Sequence, residues 1–319
     1  MMTADNLNVN ESLNEAVRIL LNLQHTDLEK RNEAIKQAGN FVEERTYFPE
    51  AVPLLIKLLE QEKHPKLAEE AAWALWKFKD SRAVPVLFKK AKTSAHLSLR
   101  KKSIRALGLL EAPEALPLLC HLVYDKSYIL RGTAIAALGH FKEPKLLSIL
   151  EGAMEDESSY VRREAIAAFG RFLRRNPKPL TVSLSKKITR FLAQKNEKDP
   201  SVRLEALKTL SYLEEKSVRK RLRKSSEQDP SAFVREGALA LLQHWEDAQS
   251  ETALIEGLQD RDWSVRFASA DLLIQRISRK IIFNRIPVLL ALHKIANIFP
   301  KTNPTKQTAA DLLKRFNAL

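Results

Sequence analysis

The chain has 319 residues, 45% of them hydrophobic and only eight of them glycine, a composition weighted towards helix formers. Its 53 Lys and Arg against 39 Asp and Glu give a net charge of +14, which makes an anionic partner worth testing but by itself speaks only to solubility and non-specific attraction. A single cysteine, Cys120, excludes an internal disulfide framework. The polar start MMTADNLNVNESLNEAV lacks the basic and apolar parts of a signal peptide, and the expectation is a cytoplasmic protein.

In chain order, short apolar segments recur: EAVRILLNL, AVPLLIKLL, AVPVLFKKA, EALPLLCHL, KLLSILEGA, ITRFLAQ, VRKRLRK and TALIEGL. Each reads as a first helix, and Pro53, Pro85 and Pro117 fall near the start of three of them, where a missing N–H is tolerated. After each comes a second segment of shared pattern. Its zero position reads Arg31, Ala68, Arg100, Arg131, Arg162, Arg203, Arg235 and Arg266, at spacings of 37, 32, 31, 31, 41, 32 and 31 residues. Such periods mark stacked-repeat architectures. Six residues earlier stand Glu62, Asp125, Asp156, Glu197, Asp229 and Asp260 in six of the eight units. Position +3 is always Ala or Ser, as a close helix crossing requires. Positions −1, +3, +4 and +7 form one apolar stripe at helical spacing. Four glycines share position +8 (Gly39, Gly108, Gly139 and Gly170), but other units place Trp76 or Gln243 there, so left-handed backbone is not obligatory. The late segment 281–299 holds Asn284, Arg285, His293, Lys294 and Asn297, too interrupted for a membrane span, and reads as a buried terminal helix.

Paired helices, the acid six residues before the Arg, and the ALG or AFG tail resemble HEAT repeats, closest to the variety found in phycobilisome-lyase-type proteins. The resemblance covers roughly residues 13–275 and implies a right-handed all-α solenoid of about eight hairpins. The units fall at approximately 13–45, 50–79, 81–111, 113–142, 144–174, 181–213, 215–245 and 249–277, in one array over 1–319 closed by a cap at 278–319. Ala68 in place of Arg, and an extended loop at 172–187 in the longer sixth unit, depart from the pattern. The resemblance also implies a structural ladder in which Asp125 and Arg131, Asp156 and Arg162, Asp229 and Arg235, and Asp260 and Arg266 bond within and between units. An Arg fork suits that task, since it reaches carboxylates or carbonyls on two units at once.

In HEAT arrays the second helix lines a concave surface. There, positions +1, +2 and +5 face a partner along a groove on the order of 80 Å, at roughly 10 Å per hairpin. The candidate partner-binding residues are Lys36, Glu69, Trp73, Lys101, Lys102, Arg105, Arg163 and Lys208. Trp73, expected exposed between Lys36 and Arg105, suits a nucleobase or a peptide side chain; the alternative is packing against Lys and Arg stems or under the first hairpin. Residues 161–230 carry 19 basic and 8 acidic groups, net +11. Within them Arg174, Arg175, Lys186, Lys187, Arg219, Lys220, Arg221, Arg223 and Lys224 form a polyanion patch or a solvated helix face, with Val218 and Leu222 as its buried side.

Three kinds of enzyme are built on similar repeats. Deoxyhypusine hydroxylases hold iron through His-Glu pairs, and none of the seven His here is followed by Glu. A phycobilin-lyase-like role rests on repeat likeness alone, and Cys120 reads as core. An alkylpurine-DNA-glycosylase-like role has only Trp73, Trp76, Glu69 and Glu70 to suggest it. The reading is a non-enzymatic scaffold that binds a protein partner in its groove, without metal or cofactor. A nucleic-acid-binding protein is the alternative.

Overall fold

The computed structural model describes residues 15–43, 49–175, 186–192, 196–212, 216–298 and 304–317. Those residues form an all-α solenoid of paired helices, with no strand among them. The first pair is α1 (15–23) and α2 (Leu28–Glu43), the second α3 (Ala51–Gln61) and α4 (Pro65–Lys77), the third α5 (Val84–Thr93) and α6 (Leu97–Leu109). Then come α7 (Leu116–Leu122) and α8 (Tyr128–Leu138), followed by α9 (Leu147–Ala153) and α10 (Ser159–Arg175). A short α11 (186–189) runs into a 3₁₀ turn at Arg190–Leu192 and precedes α12 (Pro200–Ser211). After these come α13 (Lys216–Gln228) with α14 (Ala232–Leu242), and α15 (Ala248–Gly257) with α16 (Trp263–Ser278). Last are α17 (Arg285–Ile298) and α18 (Pro304–Asn317).

The chain divides into two compact units, one ending at Phe172 and one beginning at Leu173. In the first, the second helices α2, α4, α6 and α8 pack one on the next; in the second, α12, α14 and α16 do the same. Their buried stripes are the predicted ones: Ala34, Ala71, Ala134 and Ala165 at +3 and Ile35, Ile104, Ile135 and Ile166 at +4 are all buried. Two expectations differ. The loop expected at 172–187 is helical through Arg175 and again from residue 186, because Phe172 and Leu173 are buried and hold the last turn of α10; the rest of it, 176–185, lies outside the described residues. The terminal helix α17 is buried on one face only. Val288, Leu292 and Ile295 pack inward, while Ile286 stays 72% exposed and Leu290 59%.

Most of the arginines form a ladder with one repeated geometry; Arg100 departs from it, donating to the Ala91 carbonyl at 3.0 Å and standing 4.0 Å from Asp125. Arg131 donates to the carbonyls of Asp125 (3.0 Å) and Lys126 (3.2 Å) in its own turn and, through Nε and Nη2, to both oxygens of Asp156 in the next unit. Arg203 does the same with Glu197, Lys198 and Asp229, and Arg235 with Asp229, Pro230 and Asp260. Arg31 takes the His25 and Thr26 carbonyls and Glu62. Arg162 holds the Asp156 and Glu157 carbonyls, and Arg266 those of Asp260 and Arg261. The bond inside a unit thus goes to the acid's carbonyl, and the carboxylate serves the preceding unit. Each carboxylate also accepts the N–H two residues on: Ser127 on Asp125, Ser158 on Asp156, Ser231 on Asp229. Burial works against the charge of Asp156 and Asp260, but the guanidinium and N–H bonds outweigh it and leave both carboxyls below the usual range.

Candidate functional site

The helices hold the +5 residues one turn before the +9 residues on the same face of each second helix. In the first unit this face forms a hollow of about 230 Å³, lined by Trp73 and Arg105 at +5, Leu109, His140 and Arg171 at +9, and by Ala136, Ala137 and Glu164. Trp73 is half-buried rather than exposed. Its ring packs edge-on against Trp76 with centroids 5.0 Å apart, because Trp76 occupies the +8 position where neighbouring units carry glycine. Arg105 is exposed at the rim, and Arg171 reaches across to donate to the Ala136 carbonyl at 3.1 Å.

Glycine at +8 allows this approach. A Cβ on Gly139 would stand 2.5 Å from the Ala168 Cβ and 3.0 Å from the Arg171 guanidinium, and one on Gly108 would stand 2.6 Å from the Ala137 Cα. No described glycine has positive φ; the need is for space, not for left-handed backbone.

The other candidates of this face are partly neutralised. Lys102 bonds Glu70 at 2.7 Å and stands 3.7 Å from Glu69. Arg163 bonds Glu164 at 2.9 Å and stacks over the Tyr160 ring at 5.3 Å. Lys36 is exposed and Lys101 half-buried. The first-unit face therefore carries both signs of charge around an aromatic and aliphatic floor.

In the second unit the corresponding face forms a larger hollow of about 1160 Å³, where Lys208 at +5 meets Tyr212 and His244 at +9, with Arg174, Ser211 and Trp245. The Arg174 guanidinium stands 5.2 Å over the Tyr212 ring centroid. The basic run on α13 lies elsewhere. Val218 and Leu222 are buried as expected, Arg219 bonds Asp247, and Arg223 bonds Glu227 and Glu256. Lys220 and Lys224 are exposed and Arg221 is half-buried; Arg221 and Lys224 line a separate hollow of about 380 Å³ with Gln228 and Asp229. Arg175, Lys186 and Lys187 are exposed. Position +9, which lies outside the +1, +2 and +5 pattern, completes both hollows. Its signal was the four-residue offset from +5.

Cys120 is half-buried in α7, and burial pushes its thiol up. Among the described residues no cluster of three His, Cys, Asp or Glu side chains is placed to hold a metal, and no helix is long and apolar enough to cross a membrane.

The profile of HEAT repeats matches residues 17–96, 52–129, 84–170 and 188–273, and the chain belongs to that family. No curated protein matches it in sequence. Among solved structures, the E. coli protein YibA is similar at 21% identity over 72% of this chain and 91% of its own, with a TM-score of 0.51. Kap95p, bound to RanGDP, matches at 12% identity over 98% of this chain and 45% of its own, TM-score 0.50. The CpcE–CpcF complex of phycocyanin lyase from Nostoc sp. aligns over 93% of both chains at 17% identity, with a TM-score of only 0.44. The likenesses to YibA and Kap95p support the fold alone.

Proposed function

We propose that the chain is a non-catalytic scaffold that binds a protein segment along the second-helix face of its first unit. The observation that carries this reading is the hollow between Trp73, Arg105, Leu109, His140 and Glu164. It offers an aromatic and aliphatic floor with cations and a carboxylate at its rim. A polyphosphate backbone would meet Glu164 there and Glu69 and Glu70 beside it, at a Coulombic cost. A peptide brings apolar side chains and both signs of charge, and aromatic and Arg residues are the usual anchors of such contacts. Kap95p, similar in fold to this chain, binds RanGDP and acts on its switch loops, which supports a fold suited to a protein partner.

The test is selection of peptides from a displayed library against the full chain, then titration of the enriched sequence. Trp73→Ala and Arg105→Ala are expected each to weaken it about thirtyfold, the scale of an interface hot spot of ~2 kcal/mol. Affinity within twofold of wild type for both would discard this face. Because Trp73 packs on Trp76 whereas Arg105 is exposed, Arg105→Ala is the variant expected to disturb folding less.

A further inference from the structure

The hollow of the second unit has a different chemistry. Arg174, Lys208, Ser211, Tyr212, His244 and Trp245 supply its polar and aromatic lining, and no carboxylate is among the described lining residues. Glu205 stands 3.8 Å from Lys208, whose side chain nevertheless remains 46% exposed. Tyr212, under the Arg174 guanidinium, is 45% exposed. Residues 173–319 carry 28 basic and 16 acidic groups, net +12, whereas residues 1–172 carry 25 and 23, net +2. Nearly all the excess charge of the chain thus belongs to the unit that holds this hollow.

The cations and ring faces of the lining favour one of two kinds of occupant. Arg, Lys and Trp are donors only. The Ser211 hydroxyl gives its one proton to the Lys208 carbonyl at 2.7 Å and, with Tyr212 and His244, supplies what acceptors the lining has. An extended peptide presents backbone donors as well as acceptors and needs both answered. A nucleic-acid strand presents phosphate acceptors together with flat bases. Ring faces beside fixed cations are the shared chemistry of single-strand binding, where stacking carries affinity and every base has a face to offer. A duplex keeps its base faces stacked and cannot use these rings.

We propose that this hollow binds single-stranded nucleic acid, bases stacking on the Tyr212–Arg174 pair and on Trp245 while Lys208 and the guanidinium edge of Arg174 hold phosphates. The site does not depend on the peptide-binding face of the first unit. It also differs from the α13 basic run, where Arg219 and Arg223 are occupied by acids.

The experiment is fluorescence anisotropy of the full chain with labelled 12-nucleotide oligo-dT, oligo-rU and a duplex of equal length, at about 50 and 200 mM salt, with polyglutamate as competitor. Single strands are expected to bind more tightly than the duplex. Tyr212→Ala should lose about tenfold or more, and Tyr212→Phe should keep most of the affinity. Lys208→Ala should flatten the logarithmic salt slope by about 0.7, one phosphate contact on a single strand. Three results would each overturn the proposal: no binding at the lower salt, equal affinity for duplex and single strand, or a Tyr212→Ala loss under twofold. Displacement by polyglutamate at equal charge concentration would reassign the hollow to an acidic peptide. Circular dichroism of each variant separates a folding defect from lost contacts.

Discussion

The two units build the same stack in different ways. In the first, second helices close on one another through glycine: Gly108 lies against Ala137 and Gly139 against Ala168. In the second, position +8 holds Ser211, Gln243 and Ile274, and Gln243 donates across to Gln275 at 3.2 Å. The ladder differs as well. The side chain of Arg131 remains 11% exposed and that of Arg31 18%, but those of Arg203 and Arg235 are each 2% exposed. Glycine thus stands at +8 in much of the first unit where the second carries side chains. The two best-buried rungs, Arg203 and Arg235, belong to the second, which closes on glycine elsewhere, Gly237 against Leu204. The surfaces follow suit, with a mixed-charge face in the nearly neutral unit and a donor-rich hollow in the basic one.

The largest expected effect breaks this contrast at the ladder. Arg235→Ala should leave Asp260 buried without its guanidinium and cost about 3–5 kcal/mol. Arg131→Ala, with Asp156 closer to water, should cost about half as much. Hydrogen exchange within each unit is the suitable readout, because a repeat array need not unfold in one step. Equal losses would mean that burial does not set the strength of the rungs.

Next in size is the glycine seam. Gly139→Ala should destabilise the first unit by about 2–3 kcal/mol, since backbone and side chain of Ala168 stand in the way. Gly152→Ala meets nothing within 4 Å and should stabilise α9 by roughly 0.5–1 kcal/mol. Similar thermal shifts for the two variants would show that helix propensity, not the seam, governs these positions.

A smaller effect sharpens what the units share. Ser103 and Ser269 fill the +3 position with buried hydroxyls that make no hydrogen bond. Alanine at either should gain about 1 kcal/mol, equally in both units, by calorimetry. The smallest effect is acid sensitivity. Asp156 and Asp260 titrate below their unfolded value near 3.9, so the unfolded state takes up protons first. Their contribution is complete above about pH 4 and is lost as pH falls through the lower folded values. Asp260→Asn should flatten that part of the stability–pH curve; an unchanged curve would remove Asp260 as its source.

The fold was legible because its cause is periodic. Arg, acid and small residue recur at fixed offsets, and the same stripe is buried each time. The sites were legible only in part, since they depend on what the period does not contain. Trp73 looked exposed from its offset, but the side chain at +8, Trp76, packs against it. Lys102 and Arg163 looked like free cations, but Glu69 and Glu70 reach Lys102 from the neighbouring helix and Glu164, the next residue, pairs with Arg163. Tyr212, His244 and Trp245 lie at or beyond +9, where the helix is ending, and only the stacking of neighbours makes them a surface.

Hydrogen exchange of the full chain, with and without a peptide selected on it, reads the binding face directly. Protection is expected at the ends of α4, α6 and α8, around Trp73, Arg105 and His140, and is abolished by Arg105→Ala. Protection confined to the second unit, or unchanged by Arg105→Ala, would contradict a binding face on the first unit.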